Sequence, residues 1–135
     1  MLFQLPPTFT FTPERLQMLC SMLDPGVCVH VIEFRHESWW QQEVYDMLAK
    51  HDLVFCTVSH PTMPPQLVCN SNIVYIRLHG VPEMFYSGYT EEQLKQLHDA
   101  VQMMDSVTEA FVYFNNTAGV EGIQNAEVFK KIAGG

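Results

Sequence analysis

Short apolar runs alternate with amphipathic stretches along this chain, and the two periodicities separate strands from helices. "LFQL" (2–5) reads as a strand ended by Pro6 and Pro7, and Thr12-Pro13-Glu14 then joins an N-cap residue to a proline suited to a first helical turn. Leu16, Leu19 and Leu23 recur at helical spacing until Asp24-Pro25-Gly26 stops the helix. "VCVHVIEF" (27–34) is β-branched and almost continuously apolar, as in a strand covered on both faces. Ser38 is the next N-cap candidate, and "WWQQEVYDMLAKH" places Val44, Met47 and Leu48 at helical intervals. "LVFCTV" (53–58) is a third strand, and the three prolines of the following "SHPTMPPQ" forbid a regular helix. "NIVYIRLHG" (72–80) is a fourth strand, followed by a loop and a helix from about Glu91 to Met104, with Thr90 and Gln93 spaced as a capping box. "AFVYFNN" (110–116) is a fifth strand, and "TAGVEGIQNAEVFKKIA" opens with glycines and closes as a helix.

This βα alternation predicts an α/β fold with a parallel sheet and right-handed crossovers, either doubly wound or part of a (β/α) barrel. Five strands are too few for a closed eight-stranded barrel. A length of 135 residues, 47% hydrophobic and 16% charged, suits one globular domain with a core of its own.

The formal charge of −8, without a basic cluster, disfavours binding to nucleic-acid backbones or anionic membranes. Cys20, Cys28, Cys56 and Cys69 follow no CxxC or CxxH spacing and read as reduced thiols in or near the core. The first residues lack a positive leader, and no stretch approaches the length of a bilayer span. The expected location is the cytoplasm.

In parallel α/β folds the site lies at the carboxyl ends of the strands. Those ends carry Gln4; Glu33, Arg35, His36 and Trp39; Ser59 and His60; Arg77 and His79; and Tyr113, Asn115 and Asn116. Glu33 and Arg35 share a parity, as do Arg77 and His79, and Tyr113 and Asn115, so each pair projects to one face of a regular strand. A carboxylate and a guanidinium inside a sheet are costly unless paired, which makes Glu33 and the arginines natural partners. Glu33, His36 and His79 are the candidate catalytic residues; Arg35, Trp39, Arg77, Asn115 and Asn116 are candidate ligand contacts.

Plainer readings stand beside these. On these, the ion pairs serve structure alone, the histidines are ordinary hydrogen-bonded residues, and Trp39 with Trp40 plugs the core rather than stacking on a sugar. Gly80, Gly119 and Gly122 follow the last two strands, where barrels often hold phosphate, yet no P-loop or GxGxxG spacing is present. Neither a GxSxG elbow nor an HExxH motif occurs, and the sequence names no cofactor.

The segments "LFQLPPTF", "VIEFRHESWW", "VYIRLHG", "YSGYTEEQL" and "VYFNNTAGVEGIQNA", in this order, resemble the YecE-like family, a domain of unknown function with a TIM-barrel-like fold. The resemblance covers nearly the whole chain. It implies an incomplete (β/α) TIM-barrel-like domain over residues 1–135, roughly strands four to eight, because the family's Gly-Thr-Ser-Gly-Trp-like and Asn-Ser-Thr-Phe-Tyr-like motifs are missing. Unpaired apolar edges in such a domain would invite pairing with another copy, so a homodimer or swapped oligomer is expected. For function, the expectation is binding of, or catalysis on, a small polar or anionic, sugar-like ligand at the carboxyl ends of the strands. The alternatives are a non-catalytic remnant or oligomerising interaction module, and a metal-dependent hydrolase or isomerase built on Glu33, His36 and His79.

Overall fold

A computed structural model of the chain describes residues 1–23 and 26–134. Five strands form a wholly parallel sheet in the order β1 (Leu2–Gln4), β2 (His30–Glu33), β3 (Leu53–Ser59), β4 (Ile73–Leu78) and β5 (Glu109–Phe114). The helices are α1 (Pro13–Met22), α2 (Gln42–Lys50), α3 (Glu91–Gln102) and α4 (Glu121–Ile132). A doubly wound sheet reverses its strand order at a switch point. Here each strand is added beside the last, so the winding is that of a barrel segment.

The two faces of the sheet divide the apolar residues by parity. Ile32, Phe34, Leu53 and Phe55 pack against Leu16 and Leu19 of α1 and Val44 and Leu48 of α2. Val74, Ile76 and Leu78 meet Leu94 and Val101 of α3, with Val128, Phe129 and Ile132 of α4 beside them. The opposite face carries Val31, Val54, Cys56 and Val58, joined by Leu2, Ile73 and Tyr75, and no helical side chain contributes to that cluster among the described residues.

Local sequence chemistry explains most boundaries. Thr12 Oγ1 accepts the Arg15 N–H at 3.2 Å, and Thr90 with Gln93 forms the full capping box. The crossover from β3 to β4 carries no helix, in keeping with its prolines. Most boundaries lie within two residues of the sequence reading, and two differ by more. β2 starts at His30 rather than residue 27, because its neighbours offer partners only from Leu2↔Val31 and His30↔Leu53 onward, and Val27 stays fully exposed. Ser38 does not cap α2: it lies inside a 3-10 turn, Glu37–Trp39, and α2 begins only at Gln42. The turn swings Trp39 into the core, where its ring stacks on Phe34 and Phe9 and its Nε1 donates to the Phe9 carbonyl at 2.7 Å. The helix stop expected at Asp24-Pro25 lies outside the described residues; α1 itself ends at Met22 with Leu23 as its C-cap.

Among the described residues, no helix is long and apolar enough to cross a membrane.

Candidate functional site

At the carboxyl ends of β2 and β4, on the helix-free face, the fully buried carboxylate of Glu33 is ringed by cations. Arg35 Nε donates to Glu33 Oε1, and Arg77 Nη1 donates to Oε2 at 2.5 Å. His79 Nε2 stands 3.4 Å from Oε1 and 3.5 Å from Arg35 Nη2. The register causes this meeting: Gln4 pairs with Glu33 and Arg77 with Tyr113, so residues of one parity from four strand ends line up across the sheet. Gln4 Oε1 and Asn115 Oδ1 accept from Arg77 at 3.2 Å each and hold its guanidinium in place.

Burial pushes the Glu33 carboxyl up. Hydrogen bonds from His79 and Arg77, with the charges of Arg35 and Arg77, outweigh it and bring the pKa down to about 2. The carboxylate is therefore ionised at any ordinary pH. Two guanidinium groups share this one negative charge, which leaves a local surplus of positive charge on an acidic chain. Both arginine side chains keep an edge in solvent, at 11% and 15% exposure. The Cys56 thiol lies 3.8 Å from Glu33 Oε2, and burial together with that carboxylate pushes its pKa up, so it is no thiolate nucleophile.

His79 is almost wholly buried, its Nδ1 has no hydrogen-bond partner among the described residues, and its ring packs edge-on against His60 and Phe85. Phe85 belongs to the loop after β4, tied down where its N–H donates to the His79 carbonyl. Gly80 begins that loop at φ +95, and a Cβ there would lie 2.8 Å from the Glu83 carbonyl oxygen, so the turn beside His79 requires glycine.

Glu33, Arg35, Arg77, His79 and Asn115 thus come together. His36, Trp39 and Asn116 stand apart. His36 caps the 3-10 turn, its Nδ1 bonded to Ser38. Trp39 is buried in the helix-side core. Asn116 has the opposite parity to Asn115 and turns into the helix layer, donating to the Ser87 carbonyl at 3.1 Å and to Asn125 Oδ1 at 3.0 Å. The convergence of Glu33, His36 and His79 required by the metal reading is not found; among the described residues no three His, Cys, Asp or Glu side chains gather closely enough to hold a metal ion. The glycine-rich turn before α4 offers no vacant anion cradle, because the Glu121 carboxylate lies over Gly119.

Cys56 and Asn125 escape sequence reasoning. Cys56 reads as one more apolar strand position, although its parity places it beside Glu33 once the β2–β3 register is known. Asn125 sits within α4, where an asparagine is a poor helix former and its burial is the sole hint of a role. From there it clamps Tyr89, accepting the backbone N–H at 2.9 Å and donating to the carbonyl at 2.8 Å.

No curated protein matches the chain. Among solved structures, a DUF72 family protein from Thermotoga maritima superposes with a TM-score of 0.86 at 29% identity, covering 99% of this chain and 57% of that one. A DUF72 family protein from Enterococcus faecalis, at 22% identity and a TM-score of 0.85, shares the fold over 98% of this chain and 60% of its own length. The chain therefore spans somewhat under two thirds of the solved structures it matches. Sequence comparison gives the same kinship, since the profile described as "Protein of unknown function DUF72" matches residues 1–135, and the chain belongs to the DUF72 family.

Proposed function

We propose that the carboxyl-end cluster binds a small anionic ligand, a phosphate or sugar phosphate, and handles protons through His79. The observation that carries this reading is the pair of guanidinium groups sharing the single buried carboxylate of Glu33. A planar guanidinium with free N–H groups suits the oxygens of a phosphate or carboxylate. Glu33, with its pKa at about 2 and its oxygens already engaged, is a poor proton acceptor; it suits the task of orienting Arg35, Arg77 and His79. His79, whose Nδ1 has no partner among the described residues, suits proton transfer better. Isothermal titration with inorganic phosphate and with glucose phosphate tests the reading. Saturable binding that falls at least about tenfold in Arg77→Gln, equivalent to ~1.4 kcal/mol, supports it. Unchanged binding in Arg77→Gln and in Arg35→Gln would refute it.

A second reading, self-association, draws support from the sheet edges. Among the described residues β5 pairs only with β4, and its Phe111 and Tyr113 remain 38% and 46% exposed beside Tyr75. An open strand edge with aromatic neighbours is a ready template for another strand. Sedimentation at micromolar concentration checks it: a dimer is expected, and a stable monomer would count against it.

A further inference from the structure

Every other β-to-β crossover lays a helix on the sheet, but residues 60–72 between β3 and β4 do not. Beneath this helix-free crossover lies a cavity of about 580 Å³. Met63 and Leu67 of the crossover, Ile76 and Leu78 of β4, and Leu94 and Leu97 of α3 form its apolar wall. The volume falls within the range of roughly 300–1,000 Å³ usual for small-molecule sites, which combine such walls with a few convergent polar groups.

Those polar groups gather where β3 ends. The Tyr89 hydroxyl accepts the Gly80 N–H at 2.9 Å and donates its own hydrogen to Ser59 Oγ at 2.7 Å. The Ser59 hydroxyl hydrogen is left without an acceptor among the hydrogen bonds of the described residues. His60, also in the wall, accepts the Thr62 N–H on Nδ1 at 3.2 Å, so a neutral ring carries its hydrogen on Nε2. Burial, with the charge of Arg35, lowers the His60 pKa, which favours the neutral ring. The polar end therefore offers two uncharged donors and no formal charge.

We propose that this cavity is a second binding site, for an uncharged, largely apolar small molecule whose carbonyl or ether oxygen accepts from Ser59 and His60. It lies mainly on the helix side: Thr57, Ser59, Ile76 and Leu78 have the helix-side parity, whereas Glu33 and Arg77 lie on the helix-free face, whose Val58, with Met63 packed on it, borders the cavity. The ring contact between His60 and His79, 5.9 Å between centroids, joins the two sites.

The probe for the test is prodan, an uncharged naphthyl ketone whose emission reports hydrogen bonding to its carbonyl. Wild-type protein should bind it at one saturable site. Ser59→Ala should weaken binding about fivefold, the loss of one hydrogen bond, and shift the emission to the blue. Leu97→Trp fills the cavity from α3 and Met63→Trp from the crossover; whichever of them retains the wild-type circular dichroism should abolish binding. Arg77→Gln should leave prodan binding unchanged. Absence of saturable binding to the folded wild type overturns the proposal, as does binding that survives both tryptophan substitutions. Loss of binding in Arg77→Gln also overturns it, because the dye would then report the arginine cluster.

Discussion

Two polar clusters lie close together at the carboxyl end of this sheet, and they solve the cost of burial in opposite ways. One is ionic: Glu33 with Arg35, Arg77 and His79, on the helix-free face. The other is neutral: Asn116, Asn125 and the backbone of Tyr89 and Ser87, sealed between β5, the loop before α3, and α4. Its amides bond to one another and to the backbone as a structural clamp, in which Asn116 Oδ1 is a buried atom without a partner among the described residues. In the ionic cluster the cations exceed the anion and the guanidinium groups keep an edge in water, so it retains capacity for another anion. Surplus charge with an edge in solvent, more than burial or polarity, separates the candidate site from the structural network.

Removing the shared anion should break the contrast most strongly. Glu33→Ala leaves two largely buried guanidinium groups without their counter-charge, and a loss of about 3–5 kcal/mol is expected, measured by urea unfolding. Acid should do the same reversibly. The Glu33 pKa falls from 4.5 to about 2 on folding, so its stabilisation is fully present above pH 4.5 and is lost as the pH drops towards 2. The lost component is about 3 kcal/mol. Unfolding midpoints measured across this window should fall steeply in the wild type and more gently in Glu33→Gln; equal slopes would mean that the carboxylate is not held this way.

The ionic cluster was legible from the sequence for a simple reason. Glu33, Arg35, Arg77, His79 and Asn115 stand at or just beyond strand ends, where a period of two assigns each residue a face and parallel pairing aligns the ends. Parity also separates Asn115 from Asn116, although both were candidate ligand contacts. His36 and Trp39 follow the regular part of β2, and there the 3-10 turn overrides strand geometry. The neutral clamp was hidden because Asn125 lies in a helix 36 residues beyond Tyr89, and no periodicity tells which loop a helical amide will meet. The barrel-type winding was likewise one of two options until the strand order, without a switch point, decided it.

The clamp should respond to Asn125→Ala with a smaller loss, roughly 2–3 kcal/mol, since it strips partners from the Tyr89 N–H, the Tyr89 carbonyl and the Asn116 amide. Its distinctive consequence is local. Hydrogen exchange should quicken at Tyr89 and Ser87, while amides in β2 and β3 keep their relative protection. Uniform acceleration across the sheet would mean that the clamp is part of the global core rather than a fastening for one loop.

The smallest effect sharpens the comparison best, because it sets two neighbouring asparagines against each other. Asn116 is fully buried, with both of its donor contacts inside the clamp, so Asn116→Ala should cost about 2 kcal/mol and leave phosphate binding nearly unchanged. Asn115 is partly exposed and accepts one bond, from Arg77 Nε, so Asn115→Ala should cost less than about 1 kcal/mol. That substitution nevertheless frees the Arg77 guanidinium to wander, and phosphate affinity should fall by about fivefold, one hydrogen bond's worth. Paired urea unfolding and phosphate titration of the two variants read both quantities. If Asn115→Ala destabilises as much as Asn116→Ala, or if Asn116→Ala weakens phosphate as much as Asn115→Ala, the alternation of faces at the end of β5 does not divide structure from binding, and the two clusters are one network.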